Sequence, residues 1–257
     1  MEQVANYIVA WLKNYCLEAH QDGFIVGISG GVDSALTSTL CAHTGLPTLV
    51  VGMPIHQQQD QRTRARQHME WLSAKFSQVK SMECDLTTPF ETLRAHLPED
   101  AAQHELSMAN TRSRLRMTTL YAIGQTHRRL VAGTGNKIED FGVGFYTKYG
   151  DGGVDISPIA DLTKTEVWAL AKHCGVLEDI VLAKPTDGLW GVDRTDEEQL
   201  GATYPELEWA MAYEGNGQAL TIRQQEVLHI YSRFHALNEH KMKPIPVCFI
   251  PKELKRS

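Results

Sequence analysis

The stretch GISGGVDSAL, residues 27–36, decides the predicted fold. It overlaps the apolar run GFIVGI (23–28), which predicts a short buried strand, and a helix is expected from about Asp33 to His43. Glycines in such a turn let backbone N–H groups approach an anion closely, and the N-terminus of the following helix adds partial positive charge. The lysine of the common phosphate loop, G-x-x-x-x-G-K-[ST], is missing. The order of strand, glycine turn and helix therefore indicates an anion-binding turn of a different type.

The polar residues of this turn suggest what it binds. Ser29 and Ser34 can donate hydroxyl hydrogen bonds to phosphate oxygens, whereas the carboxylate of Asp33 would repel phosphate. A magnesium ion between the carboxylate and the phosphates removes that conflict. The turn therefore predicts a nucleotide triphosphate held with Mg²⁺. The alternative is a plain glycine turn in which Asp33 and Ser34 only begin the helix.

Outward from the turn, strand-like and helical segments alternate through the first 175 residues. The further strand-like runs are PTLVVGM (47–53), QVKSMECDL (78–86) and RRLVAGTGN (128–136), and a long helical stretch covers about 105–127. This alternation predicts one α/β domain over residues 1–257, with a parallel sheet flanked by helices on both faces. Ligands of such sheets bind beyond the carboxyl ends of the strands. Both glycine turns, 27–31 and 133–135, should open onto that edge.

The second half of the chain carries helix-start signals and polar loops. Thr163 with Glu166 and Thr195 with Glu198 form capping boxes, each of which predicts a helix. The last long helix is expected over about 222–237. The polar, glycine-bearing stretches 140–162 and 183–218 are predicted to be functional loops.

Composition narrows the class of protein. The 257 residues are 42% apolar and 22% charged, which is typical of a globular protein, and the net charge of −6 argues against nonspecific binding of nucleic acid. No apolar run approaches the roughly 18–20 residues of a membrane span, and the N-terminus lacks the pattern of a signal peptide. The cysteines are scattered without a C-x-x-C pair. We therefore expect reduced thiols, a cytoplasmic location, and neither membrane nor nucleic-acid partners.

Several blocks of the chain resemble a known family. SGGVDS resembles the signature of the ATP-pyrophosphatase loop. GTGNKIED (133–140), FYTKYGDGGVDISPIADLTKTEV (145–167) and PTDGLWGVDRTDEEQLGATYPELE (185–208) resemble NAD synthetase in the same order, and EHKMKPIP near the end also fits. The resemblance implies a Rossmann-like fold of the adenine nucleotide alpha hydrolase type. It also implies the last step of NAD biosynthesis: ATP-dependent amidation of deamido-NAD by ammonia to NAD, AMP and pyrophosphate, through an NAD-adenylate.

The resemblance also implies an ATP site with bound Mg²⁺. Asp33 and Lys164 are the implied catalytic residues, with Lys164 in the role of the lysine that the loop lacks. The alternative for Lys164 is that it only begins a helix and points to water. Asp33 and Glu139 are the implied metal ligands. The implied ATP contacts are Gly27, Ile28, Ser29, Gly30, Gly31, Val32, Asp33, Ser34, Thr134, Lys164 and Thr186.

One spacing departs from the family pattern. In many members the second metal ligand lies eight residues before the lysine of the TK pair, but Glu139 lies nine before Lys148. Asp140 fits the spacing of eight, so it competes with Glu139. The continuous frame GTGNK-x-E favours Glu139.

The deamido-NAD contacts implied by the resemblance are Arg114, Lys148, Asp155, His240 and Lys241. Arg114 comes from ANTRSRLRM (109–117), where Ser113 replaces the usual alanine. The neighbouring Arg112 and Arg116 are expected to be solvated.

The resemblance further implies a homodimer, and the amphipathic first helix and the 105–127 helix are candidates for its interface. A nitrilase-like glutaminase domain does not fit in 257 residues, so the expectation is the ammonia-dependent form. The alternatives are another amide or thio transferase of the same loop family, such as a GMP synthetase or a tRNA thiolation enzyme, or an ATP-binding sensor without turnover. A basic face would favour the tRNA enzyme, and the net charge of −6 argues against it.

Overall fold

Four parallel strands form the central sheet of the computed structural model, in the order β3-β2-β1-β4. The structure describes residues 1–186, 195–215, 217 and 219–255. The strands are β1 (Gly23–Ile28), β2 (Thr48–Gly52), β3 (Val79–Glu83) and β4 (Arg129–Val131). The predicted parallel sheet is confirmed, and the run GFIVGI coincides with β1. Because the strand order reverses beside β1, the carboxyl ends of β1 and β4 border the crevice in which such folds bind ligands.

Strand β4 is shorter than the predicted 128–136. Beyond Val131, one isolated parallel bridge, Ala132 to Ile156, continues the ladder among the described residues. Asp155 N donates to Val131 O (3.0 Å), and Asp155 Oδ2 accepts from Val131 N (2.8 Å). The segment around Asp155 therefore terminates this edge, and residues 133–136 are released to form a loop at the carboxyl end of the sheet.

Helices cover both faces of the sheet, as predicted. One face carries α1 (Glu2–Glu18), α2 (Val32–His43), α3 (Gln59–Lys75), α7 (Lys164–His173) and α8 (Glu178–Val181). The other face carries α4 (Thr87–Ala95) and α6 (Glu105–Thr126), with α5 (Glu99–Gln103) beside α6. Side chains alternate along each strand, so Phe24 and Val26 of β1 pack in the first core cluster, whereas Ile25 packs in the second.

A third hydrophobic cluster lies under the C-terminal helices α9 (Asp196–Leu200), α10 (Tyr204–Ala212) and α11 (Ile222–Met242). These helices pack on a π-helix, Lys137–Val143, through Ile138, Val143, Tyr204 and Leu207. The prediction that residues 140–162 begin as a loop is therefore wrong for 140–143. The loop predicted over 183–218 likewise contains α9 and α10, and its residues 187–194, 216 and 218 lie outside the described residues.

Local signals located the helix starts correctly. Thr163 and Thr195 form the predicted capping boxes, and Thr203 and Thr221 form two more. Helix α11 runs past the predicted end at Leu237 to Met242, because its last turns are held by tertiary contacts such as Asn238 Nδ2 donating to Val143 O (2.8 Å). None of the helices within the described ranges is both long and apolar enough to cross a bilayer.

Candidate active site at the carboxyl ends of the strands

One cavity lies at the carboxyl ends of β1 and β4. Every residue that the sequence assigned to ATP lines it: Gly27, Ile28, Ser29, Gly30, Gly31, Val32, Asp33, Ser34, Thr134, Lys164 and Thr186. Glu139 also lines it. Parallel strands bring their carboxyl ends to one edge of the sheet, which explains how turns about 100 positions apart meet there. The predicted placement of both glycine turns at this edge is confirmed.

Two serines of the glycine turn stabilise its conformation by hydrogen bonds within the turn. Ser34 Oγ donates to Gly31 O (3.0 Å) and accepts from Ser29 N (3.3 Å), and Gly31 N donates to Ser29 Oγ (3.2 Å). The two hydroxyl oxygens lie 3.1 Å apart. At the N-terminus of α2 these two hydroxyls lie beside the first backbone N–H groups of the helix, which have no acceptor within the helix, so this is a suitable site for phosphate.

Gly30 lets helix α3 pack directly on the turn. Its φ is +88°, in the left-handed region that favours glycine, and a Cβ at this position would lie 2.5 Å from Gln61 O. Gln61 Nε2 in turn donates to Thr186 Oγ1 (2.7 Å). The turn, α3 and the segment at Thr186 therefore form one wall of the cavity.

Lys164 is the central cation of the site. It is the first residue of α7, yet its side chain is only 2% exposed, so the alternative that it points to water is wrong. Its Nζ donates to Asp33 Oδ2 (2.7 Å) and to Glu139 Oε1 (2.9 Å). One ammonium thus joins the glycine turn after β1 to the π-helix after β4.

The charges in this cluster stabilise one another. Burial alone would lower the pKa of Lys164, but the attraction of Asp33 and Glu139 outweighs burial and raises that pKa above its usual value. Burial would also raise the pKa of Glu139, but Lys164 and a hydrogen bond from Tyr204 hold that pKa below its usual value. Lys164 is therefore protonated and Glu139 ionised at neutral pH, because each is the other's counter-ion.

Two residues of the cluster were not singled out from the sequence. Asn136 is fully buried, donates from Nδ2 to Asp33 Oδ1 (3.0 Å), and accepts from the N–H groups of Ile138 and Glu139 at Oδ1 (3.1 Å each). Tyr204 OH donates to Glu139 Oε1 (2.6 Å), since burial raises the pKa of this tyrosine well above its usual value and keeps it protonated. Both stand inside quoted family blocks, GTGNKIED and ATYPELE, but their partners are distant in sequence.

The π-helix separates the two competing acids. The N–H of Gly144 donates to Glu139 O, a bond that spans five residues and accommodates one more residue than an α-helical turn would. Glu139 reaches Lys164, whereas the carboxylate of Asp140 lies against Gly135, where any Cβ would overlap it. Burial and the negative charges of Asp151 and Glu139 raise the pKa of Asp140 well above its usual value.

The donor set fits a magnesium ion that is completed by a nucleotide. Mg²⁺ is usually held by one or two carboxylates together with phosphate oxygens and water. Asp33 and Glu139 supply two carboxylates that already share one cation. Within the described ranges no three His, Cys, Asp or Glu side chains are grouped as a self-sufficient metal site. Asp33 and Glu139 are therefore the residues that could hold a Mg²⁺ ion whose other ligands are phosphate oxygens and water.

The residues assigned to deamido-NAD lie outside the cavity lining, and most of them meet one another. Arg114 Nε donates to Lys148 O (3.3 Å), and Lys148 Nζ donates to His240 O (3.1 Å). Lys241 Nζ donates to Gly144 O and to Tyr146 O (2.7 Å). These hydrogen bonds connect the C-terminal end of α11 to the loop that follows the π-helix.

Asp155 and Arg116 differ from this group. Asp155 uses its carboxylate to accept from Val131 N (2.8 Å) and from Tyr121 OH (3.0 Å), so it supports the sheet edge. Arg116 was expected to be solvated, but it lines the cavity and donates to Met53 O (3.0 Å) and Gln57 Oε1 (2.9 Å). The sequence could not indicate this, because the acceptors lie on the loop after β2.

Comparisons with known proteins agree with this architecture. The family model for NAD synthase matches residues 4–245. An NH(3)-dependent NAD(+) synthetase of Carboxydothermus hydrogenoformans is 38% identical over 95% of this chain and 96% of the relative, and one of Methanosarcina acetivorans is 35% identical over 96% and 97%. Among solved structures, an NMN synthetase of Francisella tularensis has a TM-score of 0.85 and 30% identity, and the match covers 98% of each chain.

Proposed function

The chain belongs to the NAD synthase family, and from this premise we propose the reaction it catalyses. It is an enzyme that catalyses the ATP-dependent amidation of deamido-NAD by ammonia to give NAD. The observation that carries the assignment to this cavity is the cluster of Asp33, Lys164 and Glu139 at the open end of the glycine turn. The acids Asp33 and Glu139 together with Lys164 argue against an ATP-binding sensor without turnover.

A carboxylate is a poor electrophile, so the reaction requires activation before ammonia can add. We propose that an oxygen of the nicotinate carboxylate attacks the α-phosphorus of ATP, which gives an NAD-adenylate and releases pyrophosphate. Ammonia then attacks the acyl carbon and displaces AMP. The protein contributes positioning and charge neutralisation rather than a covalent nucleophile. Residues 27–34 would surround the phosphates, with Thr134 and Thr186 at the same cavity wall.

Mg²⁺ is the proposed metal, with Asp33 and Glu139 as its protein ligands. When bound, it would neutralise the phosphates as negative charge develops on the leaving pyrophosphate. Lys164 already contacts both carboxylates, so it remains next to any ion or phosphate that enters between them. The direction of the Asp140 side chain, toward Gly135, supports Glu139 as the second ligand.

For the dinucleotide we propose the surface formed by Arg114, Lys148, His240 and Lys241. Several of these cations now donate to backbone carbonyls, which phosphate or carboxylate oxygens could replace as stronger acceptors. Asp155 is the weakest member of this set, because its carboxylate oxygens already accept two hydrogen bonds.

We also propose a homodimer in the cytoplasm. Helix α1 buries Ile8 and Leu12, yet it exposes Tyr7 (74%) and Trp11 (38%) on its outer side. Exposed aromatic side chains on one helix support a subunit contact there. Trp11→Glu should lower the sedimentation coefficient to that of a monomer, whereas Leu93→Glu, at an exposed apolar position of α4, should leave it unchanged.

A second candidate substrate has one specific observation in its favour. The similarity to the NMN synthetase extends over 98% of both chains with a TM-score of 0.85. The same chemistry applied to the corresponding mononucleotide acid would give NMN. The two substrates differ by the adenylyl half, which the surface around Arg114 and Lys148 would have to recognise.

One assay tests the function and its substrate. Purified protein is incubated with ATP, Mg²⁺ and ammonium, with either deamido-NAD or nicotinate mononucleotide, and NAD, NMN, AMP and pyrophosphate are quantified. We expect NAD, AMP and pyrophosphate in equal amounts, with a kcat/KM at least tenfold higher for deamido-NAD. A higher kcat/KM for the mononucleotide would reassign the substrate, and no amide from either would refute the function. Equal rates with glutamine and ammonium would refute ammonia dependence.

Substitutions test the proposed metal ligands. Asp33→Asn should lose most activity while it keeps the fold, because the amide cannot supply a charged ligand. Glu139→Ala should raise the Mg²⁺ concentration needed for half-maximal rate, whereas Asp140→Ala is the matched control from the same π-helix. A normal Mg²⁺ requirement in Glu139→Ala, together with a raised one in Asp140→Ala, would assign Asp140 instead.

A further inference from the structure

Besides Lys164 and the proposed Mg²⁺, one more cation contacts the glycine turn. In the proposed reaction, the bond between the α-phosphorus and the bridging oxygen breaks, and its electron pair stays on the leaving pyrophosphate. Lys164 Nζ lies 2.7 Å from Asp33 and 2.9 Å from Glu139, so its positive charge is already shared with two carboxyl groups. A further positive group fixed at the turn would therefore add to the charge compensation that Mg²⁺ supplies to the pyrophosphate.

This cation is Arg64, on the helix α3 that packs directly on the glycine turn. It lies on α3, three residues after Gln61, whose carbonyl oxygen packs against Gly30. Residues three apart share one helical face, so the packing that brings Gln61 to the turn brings Arg64 there too. Its Nε donates to Gly30 O (3.4 Å), and it lines the cavity.

The guanidinium of Arg64 is held in place by two hydrogen bonds and keeps further donors for a ligand. Its Nη1 donates to Asp60 Oδ2 (2.9 Å), one turn earlier on the same helix. The side chain of Arg64 is 21% exposed and that of Asp60 is 60% exposed, so solvent screens this ion pair. Nη2 donates to no group in the part of the chain that the structure describes, and a planar guanidinium can bind phosphate with two donors.

The other arginines of the cavity are engaged elsewhere. Arg62 pairs with Glu83 (2.5 Å) at the end of β3, and Arg116 donates to Met53 O (3.0 Å) after β2. The partners of both arginines belong to β3 and to the loop after β2 rather than to the glycine turn. We propose that Arg64 is a further catalytic residue of this enzyme, which binds the pyrophosphate leaving group as it departs from the α-phosphorus.

The inference rests on the proposed function, but its test does not require amidation. Binding of inorganic pyrophosphate is measured by titration calorimetry in Mg²⁺ buffer for the unaltered protein, Arg64→Gln, Arg64→Lys and Lys75→Gln. Lys75 is the matched control, since it lies in the last turn of α3, contacts Trp71 and does not line the cavity. We expect Arg64→Gln to weaken binding at least tenfold, Arg64→Lys to recover part of the loss, and Lys75→Gln to bind like the unaltered protein.

Turnover provides the second readout. Removal of one preorganised charge donor commonly lowers kcat by about 100-fold, and we expect that loss for Arg64→Gln with an unchanged KM for ammonium. Far-UV circular dichroism controls for folding, and glutamine is a good helix former. Pyrophosphate affinity and kcat of Arg64→Gln within twofold of the unaltered protein would overturn the inference, as would undetectable pyrophosphate binding by the unaltered protein.

The two possible failures are distinguishable. If the protein forms no amide but binds pyrophosphate through Arg64, the proposed function fails and the phosphate contact stands. If it forms NAD normally and Arg64→Gln binds pyrophosphate unchanged, the function stands and Arg64 has no role in the leaving group.

Discussion

Replacement of Lys164 by methionine tests the central charge cluster most directly. The side chain of Lys164 is 2% exposed, and its ammonium is the counter-ion of Asp33 and Glu139, whose side chains are 17% and 16% exposed. Breaking a buried pair by removing one partner costs about 3–5 kcal/mol, because the remaining charges stay buried without compensation. We therefore expect Lys164→Met to lower the free energy of unfolding by that amount in metal-free buffer.

The matched control is Lys137→Met. Lys137 forms an ion pair of nearly the same length with Asp161 (2.9 Å), but the two side chains are 38% and 97% exposed. An exposed pair contributes at most about 1 kcal/mol, so this variant should lose little. The same bond length with different burial isolates the effect of desolvation on the free energy of unfolding.

The assay is urea unfolding at pH 7, monitored by far-UV circular dichroism with EDTA present. The raised pKa of Lys164 means that its stabilisation is fully present below the unfolded value near 10.4 and is lost only at higher pH, so pH 7 measures the whole effect. Saturating Mg²⁺ should restore part of the loss, because a divalent cation can replace the ammonium. If Lys164→Met loses no more than Lys137→Met, the cluster does not stabilise the fold and the reasoning is refuted.

Three further outcomes follow from individual contacts. Tyr204→Phe removes the hydroxyl that orients Glu139 (2.6 Å), so the Mg²⁺ concentration for half-maximal rate should rise about tenfold, and an unchanged Mg²⁺ curve would contradict this role. Burial lowers the pKa of His68 to about 4, so the folded state resists protonation of this side chain. The free energy of unfolding should therefore fall by about 3 kcal/mol as pH drops from 6.5 to 4. In urea titrations, His68→Gln should lack this part of the pH dependence. Gly30→Ala should abolish ATP binding, since its Cβ would lie 2.5 Å from a backbone oxygen. The control is Gly45→Ala, where φ is also positive (+75°) but no atom lies within 4 Å of the added Cβ. This control should lower the free energy of unfolding by only about 1–2 kcal/mol and keep its affinity for ATP.

The elements around the glycine turn were predictable because their signals are local. The run GFIVGI coincides with β1, and the capping boxes at Thr163 and Thr195 begin α7 and α9 as expected. A cap satisfies N–H groups within three residues of itself, so its sequence pattern is sufficient. The loop predicted over 183–218 was wrong for α10, because the polar residue Thr203 there also serves as a helix cap.

The sequence by itself determined the residue types of the site: the glycine turn, the acids, and the implied lysine. Only the tertiary structure decided how they are combined. The sequence left open the alternative that Lys164 faces water, and its burial depends on Asp33, which lies more than 100 residues away in the chain. The π-helix turned Glu139 rather than Asp140 toward Lys164, and the packing of α3 on Gly30 brought Arg64 to the turn. Sequence patterns report neighbours along the chain, whereas charge compensation depends on distances in space.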